Sequence, residues 1–415
     1  MREKADSDLV RRQNRRIVLE ALRQHGPLAR IELGRHTGLS PASITSIASQ
    51  LIEDAIVQER HDMPAEPEPQ RRGRPLTRID LNPLATHVLA VKISIDGIEL
   101  ALADYRGAII ARHAAPITTY EAKPDGFGAM ITGTIKAFLA HNNFAARRLS
   151  RIGVAVQGAA DSQSGTIMWS PAFRARNIPV TGPIQNLLGV PCGIANDANM
   201  IAEGLGPQRY RGTAAVVFMG YGVGMGLIIN GAVYHGPTGA AAEFGHMNHL
   251  PHGALCRCGR RGCVEAYAAD YGILRSAQGD SENTPPQFSA VPKETMRSLE
   301  EAAQNGDAAA IAAYRKAGEA LGFGLARLIA LLSPTRIILA GPGTRAMGLI
   351  EPHLRAAIED GVVDELRRNV EIDVVPIDTD MIIKGTIDSA LRALDTDIFS
   401  AGPIGKHQSM LEKTA

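Results

Sequence analysis

Three of the four cysteines in this 415-residue chain, Cys256, Cys258 and Cys263, crowd into one short glycine-rich stretch with Gly253, Gly259 and Gly262. His246 stands just upstream. Three thiolates and one imidazole form a closed tetrahedral donor set of the kind that holds a structural Zn²⁺. All four positions come from protein, so no open coordination site is left to activate water, and such a metal pins a loop rather than catalysing. A disulfide or free thiols are the competing readings. In a reducing compartment, clustered cysteines favour metal, and both rivals leave the trio and its histidine unexplained. Cys192 stands apart and reads as a small buried apolar residue.

The knot also organises charge. Glu243 lies three residues before His246 in Glu-Phe-Gly-His, and Glu265 lies two residues after the last cysteine. A metal here brings both carboxylates to one place. Upstream, Asn196-Asp197-Ala198-Asn199 follows an apolar stretch, Gly189 to Ala195, that reads as the end of a strand. Carboxylates and amides pair with vicinal hydroxyls and fix orientation inside a cleft, and Asp197 could act as a general base on a hydroxyl. Each residue alone is equally a capped turn or a surface charge, because Asn-Asp pairs are frequent in turns. Their joint presence favours a sugar.

The length allows two or three domains. Apolar residues make up 45% and charged residues 21%, an ordinary balance for a soluble globular protein. No apolar run is long enough to span a membrane, and the charged N-terminus (Arg2, Glu3, Lys4, Asp6, Asp8) lacks the apolar core of a signal peptide, so a cytoplasmic location without membrane partners is expected. From about Leu84 onward, apolar strands alternate with helical stretches, the pattern of an α/β body. Val88 to Asp104 and Ala214 to Tyr234 share a strand-turn-strand design, the latter with Gly220, Gly222, Gly224 and Gly226 in its turn, and this suggests two similar lobes. A further glycine turn, Gly341 and Gly343, follows the strand Ile337 to Ala340. Gly279 to Lys293 reads as a loop, and 401–415 as a frayed tail.

The net charge of +1 means that any nucleic-acid contact must come from a local cluster. Residues 9–59 read as short helices. Asn14 to Gln24 places Ile17, Val18, Ala21 and Leu22 at helical spacing, and Ala29 to Thr37 forms a second helix. Gly38 suits a left-handed turn, Ser40 an N-cap and Pro41 a first helical position. The third helix, Pro41 to Asp54, turns Ile44, Ile47 and Leu51 inward and presents Ser43, Thr45 and Ser46 with Ser49 and Gln50 on the other face. Such short polar groups let a helix sit deep in a major groove. A strand (Ile56, Val57) and a return through Thr77 to Leu81 complete a winged-helix pattern; a small helical interaction domain is the plainer alternative. Arg72, Gly73 and Arg74, followed by Pro75, form a slender basic segment suited to an A·T-rich minor groove, or else a solvated linker.

Taken together, these residues resemble the ROK family of sugar kinases and repressors. The resemblance rests on Gly220 to Gly226, on Gly236 to His246 and on Cys256 to Glu265. It implies an α/β, two-lobed, actin-like (ribonuclease H-like) ATPase-type sugar-kinase fold behind an N-terminal winged helix-turn-helix. The implied division is 1–82 with a basic linker at 70–78, a first lobe 83–200, a second lobe 201–400 with the zinc loop 246–265, and the tail. By the same match, Asn196, Asp197, Glu243, His246 and Glu265 would contact the sugar, and Asp197 would be the base in a kinase. The family's kinases open their body with Asp-x-Gly-Gly-Thr-Lys, whereas the matching stretch here carries Lys92 for the aspartate and Ser94 and Ile95 for the glycines. A phosphate-cradling turn needs bare backbone N–H groups, so this departure argues against an enzyme. Gln157-Gly158 in place of Pro-Gly, and Ala172 where Asn is usual, leave the sugar's identity open. The expectation is a sugar-responsive regulator, a repressor by family habit, working as a homodimer or tetramer on operator DNA. A sugar kinase with an accessory DNA domain, and a protein-binding scaffold, are the rival readings.

Overall fold

The computed structural model describes residues 2–60, 77–95, 97–376 and 380–400. The N-terminal unit runs α1 (Arg2–His25), β1 (Leu28–Ala29), α2 (Arg30–Thr37), α3 (Pro41–Glu53), β2 (Val57–Arg60) and β3 (Arg78–Leu81). Helix α1 extends a dozen residues upstream of the expected Asn14. Ala29, expected inside α2, is extended instead: its backbone N–H donates to the Glu32 carboxylate at 2.7 Å, which starts the helix one residue later. Gly38 takes a φ of 72° and closes α2. Ser40 then caps α3 by accepting from the Ser43 N–H at 3.2 Å, with Pro41 at the first helical position. The three strands form one antiparallel sheet in the order β1-β3-β2.

The body continues with β4 (His87–Ser94), β5 (Gly97–Asp104), β6 (Ile109–Pro116), α4 (Pro124–His141), β7 (Leu149–Val156), β8 (Ala159–Asp161), β9 (Thr166–Trp169), β10 (Ile178–Pro179), α5 (Thr181–Leu188), β11 (Cys192–Asn196) and α6 (Asp197–Gly204). Then come β12 (Thr213–Met219), β13 (Val223–Ile229), β14 (Ala232–Val233), α7 (Glu265–Ala268), α8 (Asp270–Ala277), α9 (Lys293–Gln304), α10 (Ala308–Leu332), β15 (Arg336–Ala340), α11 (Met347–Gly361), α12 (Asp364–Arg367), β16 (Glu371–Val375) and α13 (Asp380–Leu394). Gly279 to Pro292 is irregular, as expected, and Lys293 already begins α9.

Two five-stranded sheets share one plan. The first has the order β11-β7-β4-β5-β6 and the second β14-β13-β12-β15-β16. In each, a three-stranded antiparallel meander is extended by two parallel strands. The repeated strand-turn-strand seen in the sequence is therefore the start of each lobe. Helices supply the parallel crossovers, as parallel pairing requires.

Chain order and lobe membership differ at the C-terminus. Helix α13 lies within the stretch assigned to the second lobe, yet it packs on β4 and β7 of the first sheet and crosses α6. The α6–α13 crossing is close because Gly385 has no side chain: a Cβ there would stand 1.7 Å from the Met200 carbonyl oxygen. The N-terminal unit is also not separated from the body by a break in the core. Val18, Leu19, Leu51 and Ile79 belong to the same buried cluster as Val88, Ala101, Ile387, Leu391 and Phe399. Polar bonds reinforce this seam. Arg15 donates to the Phe399 carbonyl at 3.1 Å, Arg23 grips Asp395 through two nitrogens at 2.9 and 3.1 Å, and the Tyr105 hydroxyl donates to the same carboxylate at 2.5 Å.

Candidate ligand cleft, metal centre and nucleic-acid interface

The metal loop is folded by its own backbone. Cys256 N–H donates to Arg260 O and Gly259 N–H to Cys256 O, both at 2.9 Å, so residues 256–260 form a tight turn. Gly262 takes a φ of 76°, and a Cβ there would meet the Leu250 carbonyl at 1.7 Å; only glycine fits. These turns bring His246, Cys256, Cys258 and Cys263 together, with one donor atom from each lying within 4.8 Å of the others. Cys258 Sγ and Cys263 Sγ are 3.7 Å apart, and Cys256 Sγ is 3.7 Å from His246 Nδ1. A tetrahedron with metal–sulfur bonds of about 2.3 Å and metal–nitrogen bonds of about 2.1 Å has edges of about 3.6–3.8 Å. The donor set thus fits a tetrahedral ion without rearrangement of these pairs. The thiols' mutual hydrogen bonds hold Cys258 below and Cys256 above the usual thiol value.

Glu243 and Glu265, two of the carboxylates expected to contact a sugar, sit beside this knot. Asn196 ends β11 and caps α6: its side-chain oxygen accepts from Ala198 N–H (2.8 Å) and Asn199 N–H (3.3 Å), and its amide donates to Gly158 O at 2.8 Å. Its polar atoms are therefore engaged with backbone, so it shapes the site as a cap. Asp197, the first residue of α6, is pushed up to about 7 by burial, with Glu243 adding to the rise and Lys92 opposing it. Glu243 is also raised, mainly by burial. Its Oε2 is 4.0 Å from His246 Nε2. The two imidazole nitrogens are thus divided, Nδ1 towards Cys256 and Nε2 towards Glu243. Glu265 is buried and fixed by the Val223 N–H at 3.2 Å and the Tyr271 hydroxyl at 3.4 Å.

Opposite these groups stands the hairpin β8–β9. Trp169 ends β9 with its ring edge-on to His246, centroids 5.1 Å apart. The hairpin is tied across to the 236–239 loop: Ser162 N–H donates to Thr238 O at 2.7 Å and Gln163 Nε2 to Pro237 O at 2.8 Å. Ser94 pairs with Gly97, and the Ile95 N–H donates to Gln157 Oε1 at 3.3 Å. Lys92 is paired with Glu99 at 3.5 Å.

Residues 88–380 match the family model described as ROK family. The chain belongs to the ROK family. It is 27% identical over 370 residues to the DNA-binding transcriptional repressor Mlc of Escherichia coli strain K12, covering 88% of this chain and 90% of Mlc. A crystal structure of a ROK family transcriptional regulator, a homologue of E. coli Mlc, superposes with a TM-score of 0.75 at 23% identity, covering 94% of this chain and 99% of that one. A ROK glucokinase from Streptomyces griseus, solved with glucose and AMPPNP, superposes with a TM-score of 0.57 at 24% identity, covering 73% of this chain and 99% of the kinase. The α/β, actin-like, kinase-type body is thus the ROK fold.

Within this ROK body, two side chains with no motif of their own complete the site. Arg257, between the first two cysteines, is buried with its guanidinium between the Tyr221 ring (3.8 Å) and the Tyr271 ring (4.2 Å). It donates to the carbonyls of Tyr221 (2.7 Å), Gln287 (2.9 Å) and Ser289 (3.2 Å), so it locks the glycine turn 220–224 to the metal loop. Trp169 is the other. Neither was picked out from the sequence. The Cys-Arg-Cys order flagged Arg257 only by its neighbours, and a lone tryptophan carries no spacing signal.

At the N-terminal unit, Ser40, Thr45 and Ser46 are exposed and Ser43 is half-buried on the outer face of α3. Thr45 donates to Pro41 O at 2.8 Å and Arg11 donates to Gln50 at 3.0 Å, while Ile44, Ile47, Ala48 and Leu51 face inward. Arg72, Gly73 and Arg74 lie outside the described residues.

Proposed function

We propose that this ROK chain is a sugar-responsive transcription regulator, a repressor rather than a kinase, which reads operator DNA through an N-terminal winged helix. The observation that carries the non-enzymatic half is the engagement of Ile95 at the end of β4. The Ile95 N–H that a phosphate would need is taken by Gln157, Ile95 adds a β-branched side chain, and Lys92 occupies the position of the kinase aspartate. A hydroxyl-recognising cleft survives beside it. Asp197, Glu243, Glu265 and His246 Nε2 bind the sugar, with Asn196 holding the N-terminus of α6 in place. Zinc at His246, Cys256, Cys258 and Cys263 supplies a structural cross-link that fixes His246 and the Glu265 backbone.

The DNA-reading half rests on α3, whose exposed Ser40, Thr45 and Ser46, with Ser43, present short donors and acceptors to a major groove, and on Arg72, Gly73 and Arg74 as a minor-groove arm. The route between the halves is short. Asp197 opens α6, α6 crosses α13, and the turn after α13 is bonded to Arg15 and Arg23 of α1. A sugar that prefers one lobe arrangement therefore changes the setting of two DNA arms in a homodimer or tetramer, by its differential affinity for the two states.

A thermal-shift and calorimetric panel of neutral sugars tests the cleft, because a ligand selective for the folded state raises the melting temperature by mass action. A gel shift with the protein's own promoter, comparing wild type with Arg72→Ala/Arg74→Ala, tests the arm; unchanged affinity removes that role. The kinase reading keeps one specific support, an Asp197 poised near neutrality. Appreciable sugar phosphate from protein, Mg-ATP and a sugar panel would decide for it.

A further inference from the structure

A cavity of about 1100 Å³ opens between the N-terminal unit and the body, lined from α1, from the β5–β6 turn, from the 206–209 turn and from α13 with the turn after it. None of its lining residues belongs to the cleft just described. Its volume lies just above the range of small-molecule sites, roughly 300 to 1,000 Å³. Seven arginine and lysine side chains line it against four carboxylates.

The charges sort into matched and unmatched groups. Within the lining, Arg23 is held by Asp395, Lys384 by Asp388 at 3.0 Å, and Arg112 by Asp380 at 2.9 Å. Arg106 and Arg392 are neutralised from outside the lining, by Asp80 and Glu203. Two cations remain. Arg16 of α1 and Arg209 of the 206–209 turn are exposed at the cavity and make no ion pair among the described residues. They come from separate elements, Arg16 from the N-terminal unit and Arg209 from the turn that follows α6. The same lining carries groups suited to hydroxyls, Gln24, Gln208 and the remaining carboxylate Glu20.

Two unmatched guanidiniums lining one cavity suit a phosphate, whose several oxygens can accept from more than one fork. The volume exceeds what a bare anion fills, and the amides and Glu20 offer partners to a polyhydroxylated remainder. We propose that this cavity is a second ligand site, separate from the sugar cleft, that takes a small phosphorylated compound. An occupant bridges α1 to the body and so stiffens the seam that sets the N-terminal unit. The consequence for DNA rests on the function proposed above; the binding itself does not.

The test uses the full-length chain carrying Asp197→Asn, which silences the cleft, at constant ionic strength. Calorimetry and thermal shift are run with glucose 6-phosphate, with orthophosphate, and with glucose as the uncharged control. The expected result is saturable binding of glucose 6-phosphate that weakens at least ten-fold in Arg16→Ala/Arg209→Ala and in Arg209→Glu, with no binding of glucose. Orthophosphate matching glucose 6-phosphate assigns the site to the free anion; a clear preference for the sugar phosphate assigns it to the ester. Both arginines are exposed, so circular dichroism of the variants should match the parent. Absence of binding by either phosphate overturns the proposal, and so does binding that survives loss of both arginines. A failed sugar panel in the wild type would count against the cleft and leave this result standing.

Discussion

Asp197 concentrates the chemistry of the cleft in one side chain. Burial raises its pKa from an ordinary 3.8 to about 7, against the pull of Lys92 and the Ala198 N–H. The folded chain therefore holds this proton more tightly than the unfolded chain. The cost of ionising Asp197 is absent below about pH 4, grows between pH 4 and 7, and is complete above pH 7. Asp197→Asn should accordingly raise the melting temperature at pH 8 by about 1 °C, the equivalent of roughly 1 kcal/mol in a chain of this length. That gain should fade as the pH falls towards 4, while sugar binding is lost at every pH. A melting temperature that drops equally at pH 4 and pH 8 would show that the aspartate holds the fold rather than the ligand. The sequence made Asp197 and Glu265 visible because each adjoins a motif. It did not reveal that the amide of Asn196 is engaged as a helix cap, because an Asn-Asp pair reads the same whether it faces ligand or backbone. Nor did it show that Lys92 tempers Asp197, since their sequence separation hides a proximity made by the parallel pairing of β4, β7 and β11.

At the scale of elements, the metal loop and the α6–α13 crossing are the two joints of the body. Elemental analysis of the purified chain should find one zinc per chain. Cys258→Ser should lose it, lower the melting temperature by several degrees and abolish sugar response, while far-ultraviolet dichroism keeps its α/β shape. Retention of both metal and response in that variant would remove the zinc from the scheme. At the crossing, Gly385→Ala forces a methyl group against the Met200 carbonyl, so urea denaturation should report a loss of about 1–3 kcal/mol. A midpoint equal to that of wild type would mean that the helices part freely there. Elements were the best-read level of the sequence. Ser40, Pro41 and Gly38 marked their helix ends because capping is local chemistry, and the doubled strand-turn-strand foretold two sheets of one plan. The membership of α13 was not legible. Its periodic apolar face says that it packs, but the choice of sheet is made by long-range contact with residues near position 90, which local pattern does not encode. Arg257 escaped notice for a similar reason: its partners Tyr221 and Tyr271 converge only once the loop is folded.

At the scale of the whole molecule, the coupling proposed between cleft and α3 would have to pass through the seam between the N-terminal unit and the body. The shared core around Val18, Val88 and Leu391 makes that seam stiff, and the Arg23–Asp395–Tyr105 cluster gives it a specific register. Burial pushes the Tyr105 hydroxyl well above its usual range, so it stays protonated and keeps donating. Asp395→Asn should leave sugar affinity within about two-fold of wild type yet reduce the sugar's effect on promoter binding, as measured by fluorescence anisotropy of labelled DNA. An unchanged effect would place the coupling elsewhere. One further property follows from the cleft itself. Trp169 is the only tryptophan in the chain, and its indole stands edge-on to His246 where a sugar would lodge. The proposed cleft thus holds the one indole of a chain with eight tyrosines, and selective excitation of that indole would report ligand entry and departure without any dye.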